Sequence, residues 1–233
     1  MTRLLASVAD LAELALAAGG GADILDLKDP AAGALGAWPS ASIVEAVALV
    51  RTWPQRPPLS ATVGDLPMEP ARVVGHVMET AALGVDYVKI GLYPDGDPAG
   101  CLDALAPVAQ GGASLVAVFF ADLWEEFTLL PAVTRAGFAG AMLDTAGKGS
   151  GSLLRHKDAS ALRRFVEEAR APGLLTGFAG SLTLADIPAL LPLRPDYLGF
   201  RGALCAGGDR GGVLDTAALG AVRSAIPGPR AVA

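Results

Sequence analysis

Short apolar runs alternate with helix-like segments along the whole chain, and this alternation is the feature that most restricts its fold. Most of the runs are continuously apolar, as expected for strands of a parallel sheet whose two faces are both covered. The predicted strands cover residues 3–7, 22–28, 59–63, 86–92, 114–120, 139–144, 173–178 and 196–200. The predicted helices cover residues 9–18, 40–52, 71–83, 98–110, 125–135, 159–171, 184–191 and 215–225.

Eight strand–helix units in 233 residues predict an α/β protein with a (β/α)8 barrel, the TIM barrel, as a single domain over residues 1–233. The competing architecture is a doubly wound open sheet, which usually carries a G-x-G-x-x-G turn after its first strand. Here that turn reads ASVADLAE. No Pro-rich or Ser-rich linker divides the chain, which also favours one domain.

Composition and charge exclude several classes of function. The net charge of −6 argues against a nucleic-acid partner, because phosphate backbones are bound by basic surfaces. Cys101 and Cys205 form no CxxC pair, and no run approaches the roughly 18–20 uncharged apolar residues of a membrane-spanning helix. His76 and His156 lack metal-ligand spacing. We therefore expect a cytoplasmic protein without nucleic-acid or membrane partners, without a metal site and without a cofactor.

Charged residues recur at the C-terminal ends of the even-numbered strands, where barrel enzymes place their active sites. They are Asp26 and Lys28 on the second strand, Lys89 on the fourth, Asp144 on the sixth with Lys148 after it, and Arg201 after the eighth. Because side chains of one barrel layer come from alternate strands, we expect these residues to converge. Buried charges are unfavourable unless they are paired, and they are typical of functional sites, so this set is the candidate catalytic centre.

Two buried lysines close together have a specific chemical use. Burial and a second ammonium group each lower a lysine pKa from its ordinary value of about 10.4. The neutral amine can then attack an aldehyde or ketone and form a Schiff base, while the second lysine and an acid such as Asp144 move protons.

Taken singly, each of these residues also has an ordinary structural explanation. A strand-end lysine can reach solvent or pair with an acid, and Asp144 is well placed to cap the next helix. Ser60, Thr62 and Asp65, around the third strand, fit a pocket lining as well as they fit strand filler and a turn.

Glycine-rich segments follow the last two predicted strands, where barrels frequently bind phosphate through backbone N–H groups. The segments read GFAGSL (177–182), GFRGAL (199–204) and CAGGDRGG (205–212). The candidate substrate- and phosphate-binding residues are Gly177, Gly180, Ser181, Arg201, Gly202, Asp209 and Arg210. Glycine is also common after strands simply because the chain must turn there, so this signal is weaker than that of the lysines.

Several segments together resemble a known family. The segments LDLKDP…GALGA, SATVGD, DYVKIGLY, AMLDTAGK and RGALCAGGDR are similar to those of (5-formylfuran-3-yl)methyl phosphate synthases, also called 4-(hydroxymethyl)-2-furancarboxaldehyde-phosphate synthases. The similarity runs from the first strand to the start of the last helix. It implies a TIM-barrel lyase that condenses two molecules of glyceraldehyde 3-phosphate into the furan phosphate, with loss of phosphate and water, early in methanofuran biosynthesis.

The resemblance also implies roles for individual residues. Lys28 matches the Schiff-base lysine of the DxK motif, Lys89 matches a proton-accepting lysine, and Asp144 and Lys148 match the assisting pair of the LDTxxK motif. The chain departs from the family at Ala206, where a basic residue is often found, and Arg210 is the nearby candidate to supply that charge.

Two other functions stay open at the level of sequence. One is a class I aldolase-type Schiff-base lyase that acts on a different sugar phosphate, and the other is a non-catalytic barrel that binds a sugar phosphate. Barrels often associate through their helical faces, so a homo-oligomer is compatible with the sequence.

Overall fold

The computed structural model describes residues 1–147 and 149–227, and it is a closed barrel of eight parallel strands in chain order. Every strand pairs with its sequence neighbours, and β8 pairs with β1 to close the barrel. The strands are β1 Arg3–Val8, β2 Ile24–Leu27, β3 Leu59–Thr62, β4 Tyr87–Leu92, β5 Leu115–Phe120, β6 Gly140–Asp144, β7 Leu175–Phe178 and β8 Tyr197–Phe200. The predicted α/β TIM-barrel fold is confirmed.

The helices cover the outside of the barrel and follow the strands one by one. They are α1 Leu11–Gly19, α2 Ser40–Arg51, α3 Pro70–Ala82, α4 Pro98–Gln110, α5 Leu130–Arg135, α6 Ala159–Arg170, α7 Ile187–Leu190 and α8 Thr216–Ala225. Short 3₁₀ turns lie at Leu153–Arg155, Leu184–Asp186, Leu191–Leu193, Gly202–Leu204 and Ala206–Gly208. Aspartate side chains cap the first turns of α1, α4, α6 and α8 by accepting backbone N–H groups, which fixes where those helices begin.

Two predicted helices are shorter than their sequence pattern indicates. The segment predicted over 125–135 is helical only from Leu130, because Trp124 donates its indole N–H to Leu92 O at 2.8 Å and Phe127 packs edge-on against Phe119 and Phe165. These aromatic anchors hold the preceding residues in turns. The segment predicted over 184–191 breaks into short turns around α7, where prolines remove backbone donors.

Alternate residues of each strand face opposite sides of the barrel wall. One side packs against the helices in the main apolar core, and the other fills the barrel interior with a smaller set. The interior set includes Leu5, Ile24, Val116, Val118, Phe120, Met142, Ala179 and Tyr197. This period of two also turns polar residues inward near the C-terminal ends of the strands, and that is how the fold builds a polar centre above an apolar floor.

Gly177 belongs to this floor and not to a phosphate loop. It lies within β7, and a Cβ at this position would come within 2.2 Å of two ring atoms of Tyr197. The prediction that Gly177 binds phosphate is therefore replaced by a packing role, in which the missing side chain makes room for the buried Tyr197 ring.

We expect Gly177→Ala to lower the free energy of unfolding by about 1–3 kcal/mol, because an overpacked interior forces its neighbours to shift. The matched control is Gly75→Ala in α3, where a Cβ would meet open space among the described residues. We expect the control to raise stability by about 0.5–1 kcal/mol. Urea unfolding of both variants measures the difference, and equal stabilities for the two would contradict the packing role.

Among the described helices, none combines the length and the apolar character that a lipid bilayer requires of a spanning segment.

Candidate active site

Four charged side chains meet at the C-terminal end of the barrel. Asp26 lies in β2 and Lys28 directly follows that strand, while Lys89 lies in β4 and Asp144 ends β6. All four are buried, and all four line one cavity of about 480 Å³ that opens at this end. The predicted convergence of the two lysines and two aspartates is therefore what the structure shows.

The deeper pair consists of Lys89 and Asp26. Lys89 Nζ lies 2.7 Å from Asp26 Oδ2, and the side chains are 4% and 0% exposed. Two hydroxyl groups complete the surroundings of the carboxylate, because Ser7 Oγ donates to Oδ2 at 2.8 Å and Ser60 Oγ donates to Oδ1 at 2.6 Å. The inward register of β1, β2 and β3 brings these groups together, since Ser7 pairs with Asp26 and Asp26 pairs with Ser60.

The outer pair consists of Lys28 and Asp144. Lys28 Nζ donates to Asp144 Oδ2 at 3.2 Å, and the lysine side chain is 10% exposed, more than that of Lys89. The other carboxylate oxygen of Asp144 accepts the backbone N–H of Thr145 at 2.7 Å. Asp144 therefore faces a buried lysine on the opposite side of the barrel, a partner that a helix cap would not provide.

The charges shift the protonation equilibria of the deeper pair. Burial alone would raise the pKa of the Asp26 carboxyl group, but the ammonium groups of Lys89 and Lys28 lower it below its ordinary value, helped by the Ser60 hydrogen bond. Burial lowers the pKa of Lys89, and the nearby Lys28 ammonium adds to this effect while Asp26 opposes it. Lys89 is thus a lysine that gives up its proton more readily than an exposed one.

Glycine-rich segments form the rim of the cavity. Gly180, Ser181, Gly202, Asp209 and Arg210 all line it, as the sequence pattern predicts for a phosphate-binding rim. Gly180 and Ser181 have positive φ angles of +94° and +49°, so the chain turns sharply over the end of β7. A side chain at Gly180 would press on Thr145, with a Cβ only 3.0 Å from Thr145 N. Whether these residues bind phosphate stays a prediction.

Arg201 has a different set of partners from the one its sequence context suggests. Its five N–H groups all have acceptors inside the protein: both carboxylate oxygens of Glu13 and the backbone oxygens of Ser7, Arg210 and Gly212. A guanidinium group whose donors are all engaged has none left for a phosphate. We therefore remove Arg201 from the proposed phosphate contacts, although its side chain borders the cavity.

Three other residues that the sequence analysis names are Lys148, Thr62 and Asp65. Lys148 lies outside the described residues. Thr62 donates to Gly36 O at 2.9 Å, and Asp65 accepts from Ala34 N, Leu35 N and Tyr93 Oη at 2.6, 2.9 and 2.7 Å, so both hold the loop after β2.

Sequence reasoning missed Ser7 and Glu13. Ser7 could have been found, since it is the last residue of the first predicted strand and its period-two position faces the same layer as Asp26. Glu13 resembles an ordinary polar residue of an amphipathic helix, and nothing local signals that it is 3% exposed.

Within residues 1–147 and 149–227, no group of three or more histidine, cysteine, aspartate or glutamate side chains is arranged to hold a metal ion. The polar groups that line the cavity are amines, guanidinium groups, carboxylates, hydroxyl groups and the backbone.

Sequence comparison decides the family. The sequence model described as 4-HFC-P synthase matches residues 4–223, nearly the whole barrel. The chain belongs to the 4-HFC-P synthase family. The (5-formylfuran-3-yl)methyl phosphate synthase of Methanococcus maripaludis strain S2 is 37% identical to it, over 89% of this chain and 91% of that protein. A Methylorubrum extorquens protein, to which the same name is provisionally attached, is 42% identical over 98% of this chain and 94% of its own length.

Solved structures agree with this family's fold. The thiamine phosphate pyrophosphorylase of Pyrococcus furiosus superposes with a TM-score of 0.64 at 14% identity, covering 96% of this chain and 94% of that one. At such low identity the likeness concerns the barrel alone. Membership of the 4-HFC-P synthase family indicates that the protein is a synthase, and the polar cavity is the place in the described structure that suits such chemistry.

Proposed function

We propose that this protein condenses two molecules of glyceraldehyde 3-phosphate into 4-(hydroxymethyl)-2-furancarboxaldehyde phosphate through a Schiff base on Lys28. The observation that carries the proposal is the pair of buried lysines, each beside a carboxylate, in one cavity of a 4-HFC-P synthase family member. The volume of about 480 Å³ lies within the range of small-molecule sites and leaves room for two triose phosphates.

The reaction balances as a condensation with elimination. Two C3 aldehyde phosphates supply all six carbons of the furan product, which keeps one phosphate. The other leaves as inorganic phosphate, and two molecules of water are lost with it. No oxidant or reductant is required. The enzyme must therefore capture a carbonyl group, remove protons from carbon, and protonate leaving oxygens, which is lyase chemistry.

Lys28 is the better candidate for the imine. Its amine lies at the outer level of the cavity, where a substrate aldehyde arrives first, and it is more exposed than Lys89. Asp144 at 3.2 Å can accept a proton from the Lys28 ammonium and return it to the carbonyl oxygen that leaves as water. The family resemblance assigns the same role to Lys28, and it assigns an assisting role to Asp144 and Lys148.

Lys89 is suited to remove a proton from the substrate. An iminium ion at Lys28 makes the C–H group next to the imine carbon more acidic. A base deeper in the cavity can then remove that proton. Lys89 lies in the same cavity with a lowered pKa, and Asp26 holds its ammonium form by a 2.7 Å contact once the proton arrives. The rim residues Gly180, Ser181, Gly202 and Arg210 are the proposed phosphate contacts, through backbone N–H groups and one guanidinium group.

The test uses the purified protein with glyceraldehyde 3-phosphate as sole substrate. We expect an ultraviolet-absorbing furan aldehyde to form together with one equivalent of inorganic phosphate. A class I aldolase-type lyase would instead give a sugar phosphate without a furan, and a non-catalytic barrel would give neither. Phosphate release without the furan chromophore would refute the proposed reaction.

The hydroxyl groups on Asp26 give a separate prediction. Ser60→Ala removes the 2.6 Å donor to Asp26, so the carboxylate becomes a stronger base and holds the Lys89 proton more tightly. If neutral Lys89 is the base, activity is lost as the pH falls through its pKa, and the variant raises that pKa. We expect the acid limb of the kcat profile to move up by about one pH unit, since a hydrogen bond to a charged group contributes about 1.5–3 kcal/mol, of which only part reaches Lys89.

The control for this prediction is Ser224→Ala on the exposed side of α8, where the hydroxyl group donates to Gly220 O at 2.8 Å. Its pH profile should match that of the unaltered protein. A downward shift in Ser60→Ala, or equal profiles for the two variants, would contradict the role given to the Asp26–Lys89 pair.

A further inference from the structure

We infer that Arg201 and Glu13 are positioning residues that hold the segment 206–212 against the mouth of the cavity and thereby set its affinity for phosphorylated substrate. This inference deepens the proposed function and rests on it for the identity of the substrate. Neither residue acts on the substrate directly; both act through the backbone of the segment they hold. We call the pair the Glu13–Arg201 clamp.

The segment 206–212 is rich in glycine. It reads AGGDRGG, and Gly207 and Gly208 adopt positive φ angles of 67° and 77°. Glycine loses more conformational freedom on ordering than any other residue. Contacts from outside therefore add to the hydrogen bonds that the segment makes within itself, such as Gly212 N to Asp209 O at 3.0 Å. Yet it forms one wall of the cavity, where Gly208, Asp209 and Arg210 lie. Arg210 also reaches across the mouth and donates to Gly33 O at 3.0 Å, in the loop after β2.

Arg201 provides that support at two points of the segment. Its Nε donates to Arg210 O at 2.9 Å, and its Nη2 donates to Gly212 O at 2.7 Å. Its Nη1 donates to Ser7 O at 3.4 Å, at the end of β1, and the side chain of the same serine donates to Asp26. One guanidinium group therefore ties the cavity wall to the end of β1, in a planar geometry that a lysine cannot reproduce.

Glu13 holds Arg201 in this orientation from α1. Its two carboxylate oxygens accept hydrogen bonds from both terminal nitrogens of the guanidinium group. They also accept hydrogen bonds from Ala9 N at 2.7 Å and Leu214 N at 2.9 Å. The side chains are 9% and 4% exposed, so the pair is shielded from solvent. Burial opposes ionisation of Glu13, but Arg201 and the two backbone donors keep its pKa below the ordinary value. A buried pair of this kind is rigid, because separating it would leave an uncompensated charge.

The experiment measures KM and kcat for glyceraldehyde 3-phosphate, the Kd for inorganic phosphate by calorimetry, and the Tm. The variants are Glu13→Gln, Arg201→Lys and the double variant. The control is Arg223→Lys, which alters a more exposed arginine–aspartate pair, with Asp23, at the opposite end of the barrel. Should Glu13→Gln fail to fold, Glu13→Asp keeps the charge, shortens the reach, and takes its place.

We expect each single variant to raise KM and the phosphate Kd on the order of 10-fold to 100-fold, the size of effect expected when a hydrogen bond to a charged phosphate group is lost. The change in kcat should be smaller, and the double variant should be no worse than the poorer single one, because both act through one clamp. Arg223→Lys should leave KM and Kd unchanged.

Two results would overturn the inference. Weaker phosphate binding in Arg201→Lys but not in Glu13→Gln would mean that Arg201 contacts phosphate itself. A lower Tm with unchanged KM and Kd in both would mean a purely structural pair. The titration with inorganic phosphate does not depend on turnover, so failure of the proposed reaction can be distinguished from failure of the Glu13–Arg201 clamp. A protein inactive on glyceraldehyde 3-phosphate defeats the proposed function, whereas an active one with unaltered variants defeats the clamp.

Discussion

Replacing Lys28 by alanine or arginine is expected to abolish formation of the furan product. Among the described residues that line the cavity, no other lysine lies at the outer position of Lys28, so no second amine can form the imine there. Removing a covalent nucleophile typically lowers kcat on the order of 10⁴–10⁶-fold. Arginine is the informative replacement, because it keeps a cation beside Asp144 yet is never deprotonated and forms no imine. Measurement of furan absorbance and released phosphate with glyceraldehyde 3-phosphate gives the rates.

Folding must be shown to survive in these variants, because Asp144 and Lys28 are a buried pair. Circular dichroism and the Tm of Lys28→Arg supply that control, and we expect both to stay close to those of the unaltered protein. If Lys28→Arg turns over at more than a few per cent of the original rate, the charge alone suffices and the imine mechanism is wrong.

Replacing Lys89 by methionine is expected to slow turnover roughly 10²–10⁴-fold, the usual contribution of a positioned general base. The substrate imine at Lys28 should still form, because its amine lies at the outer level with Asp144. The variant therefore accumulates the imine, which the unaltered protein consumes. Reduction with borohydride during turnover measures this: the trapped fraction should rise in Lys89→Met and vanish in Lys28→Arg.

The effect of Lys89→Met on stability must be separated from its effect on catalysis by a second variant. Lys89→Met leaves Asp26 buried at 0% side-chain exposure without its cation, and breaking such a pair costs about 3–5 kcal/mol. Lys89→Met with Asp26→Asn removes both charges, so we expect it to regain much of that loss while staying equally slow. A double variant as active as the unaltered protein would exclude proton transfer by Lys89.

The fold was accessible from the sequence because its determinants are local and repeated. Each predicted strand is a short apolar run followed by a helix-like segment, so eight such units predict the barrel. The aromatic anchors Trp124 and Phe127 shortened α5, and that could not be foreseen, since their partners Leu92, Phe119 and Phe165 lie on other elements.

The four charged residues at the centre of the candidate site could be predicted from the sequence, but their pairing could not. The period of two and the layering of alternate strands place two lysines and two aspartates in one cavity. Asp26 and Lys28 are neighbours in sequence, yet each pairs across the barrel, Asp26 with Lys89 and Lys28 with Asp144. Such pairing depends on how the strands close. Arg201 shows the same limit, because its partner Glu13 is 188 residues away.

The central claim is that the amine of Lys28 captures the carbonyl group of a triose phosphate, and one measurement tests it directly. The protein is reduced with borohydride in the presence of glyceraldehyde 3-phosphate, digested, and mapped by mass spectrometry. We predict that the peptide containing Lys28 carries the reduced triose adduct and that the peptide containing Lys89 does not. An adduct confined to Lys89, or none on either lysine under turnover conditions, would contradict the account.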